Sequence, residues 1–178
     1  MIYFTSDLHL GHRAIIHMQN RPFADVDEMN RTLIRNINNV AHRDDRLYIL
    51  GDVAHHIPLK DRLELLSQIK CKKYLIFGNH DKGSEEDYSG ICEWVKIYHK
   101  EALYGLNIIM MHYPLMSWDK MRHGSIMLHG HIHAGAEYNL DNIANNIRRF
   151  DIGVDANNYM PVSIETIREW TSLCKEET

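Results

Sequence analysis

Proline and cysteine are scarce in this chain, with four and three respectively among 178 residues. No proline-rich linker, internal repeat or low-complexity tract breaks it. That leaves no candidate boundary, and the length suits one folded unit, so residues 1–178 are expected to form a single domain. Cys71, Cys92 and Cys174 are odd in number and form no CxxC pair, which argues against a disulfide framework or zinc knuckle and for reduced thiols. Long apolar runs are missing too. The opening MIYFTSDLHLGH lacks the basic start and apolar core of a signal peptide, and no later run approaches the ~20 apolar residues of a spanning helix. The expectation is a cytoplasmic protein with no membrane role. Basic charge is not in excess either: 20 Lys and Arg face 24 Asp and Glu, for a net charge of -4. With no basic stripe interleaved with aromatics, nothing signals a nucleic-acid partner.

What the chain has is histidine, 13 in all. LHGHIHAG at 128–135 sets His129, His131 and His133 two apart between glycines. Imidazole is the commonest side-chain metal ligand, and the cluster gains meaning only if other ligand types reach the same place. Five short apolar, β-favouring runs do lead to such residues: IYFT at 2–5, LYIL at 47–50, YLIF at 74–77, NIIMM at 107–111 and SIML at 125–128. Each stops just before a polar cluster, which reads as strand followed by loop.

Helical patterns lie between the first three runs. Met29, Leu33, Ile34, Ile37 and Val40 share a face in 25–40, and Asp25 with Glu28 can form a capping box. Pro58 suits a first helical turn, with Leu59, Leu63, Leu66 and Ile69 following at helical spacing. Strands alternating with helices predict an α/β layer architecture, parallel in its first half. From 94 to 128 the pattern becomes neighbouring strands with a turn near Gly105, which predicts a mixed or second sheet. A strand over 150–154 and a helix over 163–173 complete the reading.

In open α/β sheets, ligands bind where loops leave the carboxyl ends of strands. Those loops hold Asp7, His9, Asp52, Asn79, His80, His112, His131 and His133. Carboxylates, an amide oxygen and several imidazoles suit a dinuclear site of first-row transition metals. Two divalent ions against Asp7 and Asp52 leave a charge of about +2, which favours a phosphate. For the fourth loop, His99 or His123 could be argued in place of His112.

DLH (7–9), GDVAH (51–55), GNHD (78–81), the single His112 after an apolar strand, and GHIH (130–133) together resemble the ordered motif set of the calcineurin-like metallophosphoesterases. One such motif would be weak; five in order over residues 2–133 are specific. The resemblance implies a four-layer α/β/β/α sandwich of mixed β-sheets with flanking helices. It assigns Asp7, His9 and His133 to one metal and Asn79, His112 and His131 to the other, with Asp52 between. His80 would stand by the substrate phosphate without binding metal. His55 matches a second substrate-facing histidine in the diesterase branch. His12 and Arg13 follow DLHLG as small bacterial and phage-type members do, where substrate contact and loop packing are both open. Asp81 would orient an imidazole or hold its loop, and His129 would pack beside the strand. Met111 stands where relatives often have glycine, which leaves His112 the least secure ligand.

The implied reaction is phosphoester hydrolysis by a hydroxide between two metals, with manganese expected and iron, zinc or nickel able to serve. His55 favours small nucleotide or related phosphodiesters. A phosphomonoesterase of the same fold is the alternative, and a protein-binding scaffold that keeps its metals belongs to a different class.

Overall fold

The computed structural model describes residues 1–174. Strands β1 (Ile2–Thr5), β2 (Arg46–Leu50), β3 (Lys72–Ile76) and β4 (Trp94–Lys96) pair in parallel. The short strand β9 (Val162–Ser163) adds antiparallel to β1, giving the order β4-β3-β2-β1-β9. The second sheet runs β5-β6-β7-β8. In it β5 (Tyr98–Leu103) and β6 (Leu106–Met111) form an antiparallel hairpin, and β7 (Ile126–His129) and β8 (Arg149–Asp151) continue parallel to β6. The predicted turn near Gly105 is this hairpin, where Tyr104 and Gly105 both have positive φ.

Strand alternation decides the layers. Phe4, Tyr48, Leu50 and Ile76 of the first sheet meet Ile108, Met110, Ile126, Leu128 and Phe150 of the second in one buried cluster. The alternate residues Leu47, Ile49 and Leu75 face outward onto Met29, Leu33, Ile37 and Leu66. These last come from α2 (Val26–Val40) and α3 (Leu59–Ser67). The expected two mixed sheets flanked by helices are therefore present. Over the second sheet the outer layer is thin: Trp118 and Leu115, from the irregular segment after β6, cover Ile109 and Met127.

Local signals explain the helix ends. Asp25 accepts the Glu28 amide at 2.7 Å, while the Glu28 carboxylate reaches the Ala24 amide, also at 2.7 Å, so the capping box closes one residue early. Pro58 stands just before α3 rather than within its first turn. Ser163 caps α5 (Ile164–Leu173) by accepting from Thr166. The strand predicted over 150–154 ends at Asp151, because Asp151 accepts the Gly153 amide at 2.7 Å and turns the chain. Two short helices, α1 (Arg13–Met18) and α4 (Glu137–Ala144), were not predicted. Among the described residues, no helix is long and apolar enough to cross a membrane.

Candidate metal centre

All five predicted loops meet on one rim. Backbone bonds tie the first two together: Asp7 N to Gly51 O at 3.1 Å, His9 N to Asp52 O at 2.9 Å and Leu10 N to Val53 O at 2.9 Å. Asp81 holds the third by accepting the amides of Asp52, Val53 and Gly78 at 2.8, 3.0 and 2.8 Å, with the Arg62 guanidinium beside it. Of the two roles open for Asp81, holding its loop is the one observed.

The turns are tight enough to need unusual backbone. Gly51 has φ +93°, and a Cβ there would fall 2.5 Å from His112 Nδ1. At Gly130 a Cβ would collide with the side chains of Ser6 and Asp7. Asp7, His9, Asp52, His131 and His133 themselves sit at φ 57, 50, 52, 74 and 47°, a region few non-glycine residues occupy. Such strain persists where the surrounding structure over-determines it, and it concentrates at functional sites.

Two pockets result. Ligand atoms of Asp7, His9 and His133 lie within 4.8 Å of one another, and so do those of Asp52, His112 and His131. Asn79 joins the second through Oδ1, 2.9 Å from His112 Nε2. Asp52 stands between the pockets, its Oδ2 3.5 Å from His9 Nε2 and 3.5 Å from His112 Nε2. All seven predicted ligands are thus gathered. His99 bonds Glu101 and His123 sits in a single-turn helix after β6, so His112 is the imidazole that belongs here.

The hydrogen bonding shows that this donor set fits cations. His112 Nδ1 donates to Leu50 O at 2.8 Å, and His133 Nδ1 donates to Asp155 at 2.7 Å. With Nδ1 engaged in this way each ring turns its Nε2 inward, where the neutral form offers a lone pair, which is how metal-ligating histidines are commonly oriented. Asp7 Oδ1 and His9 Nε2 are buried with no partner. Lone pairs converging without protons are costly when buried; a cation removes the conflict.

Titration follows the same crowding. Burial pushes the Asp7 carboxyl up, with His133 and His112 opposing it. Burial also opposes a charge on Asp52, but without a cation the protonated His112 ring beside it outweighs this and holds the carboxyl below the usual range. Burial drives His9 down. His133 is raised despite burial, because Asp155 stabilises its protonated form.

Beside the pockets His80 and His55 are partly exposed and His12 is buried. The His80 ring is 3.9 Å from that of His55, and His55 is 4.6 Å from His12. His80 Nε2 is 4.0 Å from Asp52, while its backbone amide donates to Asp52 Oδ1 at 2.9 Å. Arg13 is exposed at the first residue of α1. His129 is fully buried, bonded to Gly130 O at 2.9 Å and Tyr138 at 3.2 Å, as expected of a packed residue.

Sequence reasoning missed Asp155 and Arg21. Arg21 binds the Asp155 carboxylate through Nε and Nη2, both at 2.8 Å, and donates to the backbone oxygens of Asp7 and Leu8 at 2.8 and 3.1 Å. One buried guanidinium thus fixes both the DLH turn and the carboxylate that orients His133. Asp155 follows β8, so the strand-end rule that found the other loops could have found it. Asp155→Asn is expected to weaken metal binding by about 10–100-fold, read by competition with a chromophoric chelator. Unchanged affinity would remove Asp155 from the centre.

The profile of the calcineurin-like phosphoesterase family matches residues 1–169, and the chain belongs to that family. The uncharacterized protein MJ1445 of Methanocaldococcus jannaschii is 34% identical over 93% of this chain and 88% of its own. The Gene 66 protein of Mycobacterium phage L5 is 29% identical over 74% of this chain and 77% of its own. Among solved structures, protein AQ665 of Aquifex aeolicus, described as of unknown function, has the same fold. It aligns with a TM-score of 0.74 and 24% identity, covering 95% of this chain and 98% of its own. Family membership and the two His/Asp pockets together make this protein a metal-dependent phosphoester hydrolase.

Proposed function

We propose that this protein is a dinuclear phosphodiesterase acting on small nucleotide or related diesters. The observation that supports it is the pair of imidazoles, His55 and His80, 3.9 Å apart beside Asp52 on the open side of the pockets. A monoester needs its phosphate held and its one leaving oxygen protonated. A diester's leaving group is commonly a poor alkoxide, and two adjacent imidazoles can divide the work between the phosphoryl oxygens and that departing oxygen.

Asp7, His9 and His133 would hold one ion and Asn79, His112 and His131 the other, with Asp52 shared. When bound, the two ions supply Lewis-acid charge and a water of lowered pKa. Mixed nitrogen and oxygen donors discriminate poorly among first-row metals, and manganese is the proposed occupant. Asp155 keeps the His133 proton on Nδ1, so Nε2 stays available. His80 meets the phosphoryl oxygens where charge builds up, and His80, His55 or a water gives a proton to the departing oxygen. His12 and Arg13 flank that side as substrate contacts.

Purified protein should hydrolyse bis-p-nitrophenyl phosphate faster than p-nitrophenyl phosphate with added manganese, and chelator should abolish both. A reversed preference would make it a monoesterase. Silence on both and on a nucleotide diester panel, with metals bound, would leave the scaffold reading.

A further inference from the structure

Beside the two pockets lies a third group of ligands. His12, His55 and His56 each offer a ring nitrogen within 4.8 Å of the others, the same spacing that gathers the two metal pockets. We propose that these three imidazoles form a third, weaker site for a zinc ion, separate from the dinuclear centre.

Backbone contacts bring them together independently of the rings. His12 ends the loop after β1, and His55 and His56 lie in the loop after β2. Leu10 and Ala54 form an isolated parallel bridge between these loops, reinforced by His55 N donating to Leu10 O at 3.3 Å. The ring centroids are then 4.6 Å apart for His12 and His55, 3.8 Å for His55 and His56, and 5.5 Å for His12 and His56. Among the described residues, the ring nitrogens of His55 and His56 have no protein hydrogen-bond partner. His56 holds φ 58°, a conformation Gly or Asn would adopt at less cost. Three imidazoles suit zinc and leave a fourth position open. His56 is exposed, so that position is reachable from solvent.

The site must be the weakest of the three. His12 Nδ1 lies 3.4 Å from His9 Nδ1, and His9 carries its proton there when its Nε2 faces the first pocket. A cation on His12 Nε2 puts a second proton on His12 Nδ1, so loading it costs this contact. Two neighbouring cations repel it as well. A loaded third site also takes His55 as a ligand and so removes it as a proton donor, a consequence that rests on the proposed function.

Equilibrium dialysis of the full-length protein against buffered free zinc tests the site without using activity. Three equivalents are expected at saturation, the third at higher free zinc than the first two. His56→Gly, which suits the left-handed backbone, should keep two tight equivalents and weaken the third by about tenfold or more; His56→Asn should repeat this. His123→Ala should still bind three. Saturation of the wild type at two equivalents, or an unchanged third equivalent in both His56 variants, overturns the proposal. With zinc already filling the two main pockets of both proteins, further zinc in the range that loads the third site should suppress diester turnover in the wild type and spare His56→Gly. Equal suppression in both also overturns it, whereas absent diester turnover counts only against the proposed function.

Discussion

Asp52→Asn is expected to strip metal from both pockets and cut turnover by on the order of 10³-fold or more. The carboxylate is almost wholly buried, and one oxygen lies equally close to an imidazole of each pocket, 3.5 Å from His9 and 3.5 Å from His112. Asparagine keeps the size and can still accept the His80 amide through its oxygen. Its amide group then turns N–H donors toward the two inward-facing ring nitrogens, satisfying the lone pairs that a cation would otherwise meet. The variant should therefore fold, with metal-free stability within about 1 kcal/mol of the parent. The contrast appears on adding manganese. Binding to the native state alone raises the wild-type melting temperature by mass action, and Asp52→Asn should show almost no rise. Metal analysis after dialysis and turnover at saturating manganese complete the test. Two ions per chain with turnover within tenfold of wild type would show that Asp52 is not shared between cations.

This sensitivity follows from an arrangement the sequence displays plainly. Asp7, Asp52, Asn79, His112 and His131 each follow an apolar run at a strand's carboxyl end, so the strand-to-loop switch marks the ligand. The first-half parallel sheet was legible for the same reason: amphipathic helices of the right length separate those strands, and apolar residues fill both faces. Short elements were not. α4 has only eight residues and a weak apolar stripe, and its position comes from tertiary contacts such as Asn139 bonding the Asp151 backbone in both directions at 2.8 Å.

The pairing of the orienting groups was illegible for a related reason. Arg21 and Asp155 are 134 positions apart, and no spacing rule joins them; only the folded chain shows that one guanidinium braces both ends of the first pocket. The left-handed backbone at Asp7, His9 and Asp52 was hidden too, since glycine normally announces that conformation and here it falls on aspartate and histidine, with Gly11 and Gly51 as neighbours. The ligands follow from local pattern, while what aims them follows from long-range packing.

His80→Ala separates binding from chemistry. The imidazole is about a third exposed and stands 4.0 Å from Asp52, outside the two ligand groups. Its backbone does the structural work, donating to Asp52 Oδ1 and accepting from Arg62, and alanine preserves both bonds. Metal content should stay at the wild-type level while kcat falls by about 10²–10³-fold. The leaving group then decides how the ring acts. p-Nitrophenolate departs without help, so a proton donor is scarcely missed with it and badly missed with an alkyl alcohol. If His80 protonates the leaving oxygen, the loss on an alkyl diester should exceed that on bis-p-nitrophenyl phosphate by about tenfold or more. If it stabilises charge on the phosphoryl oxygens, the two losses should match. Because His55 lies 3.9 Å away, the same pair of substrates on His55→Ala, and on the double variant, should show which imidazole holds which task, and the double loss should fall short of the product of the single losses. Turnover unchanged on both substrates in His80→Ala would leave that ring without a part in the reaction.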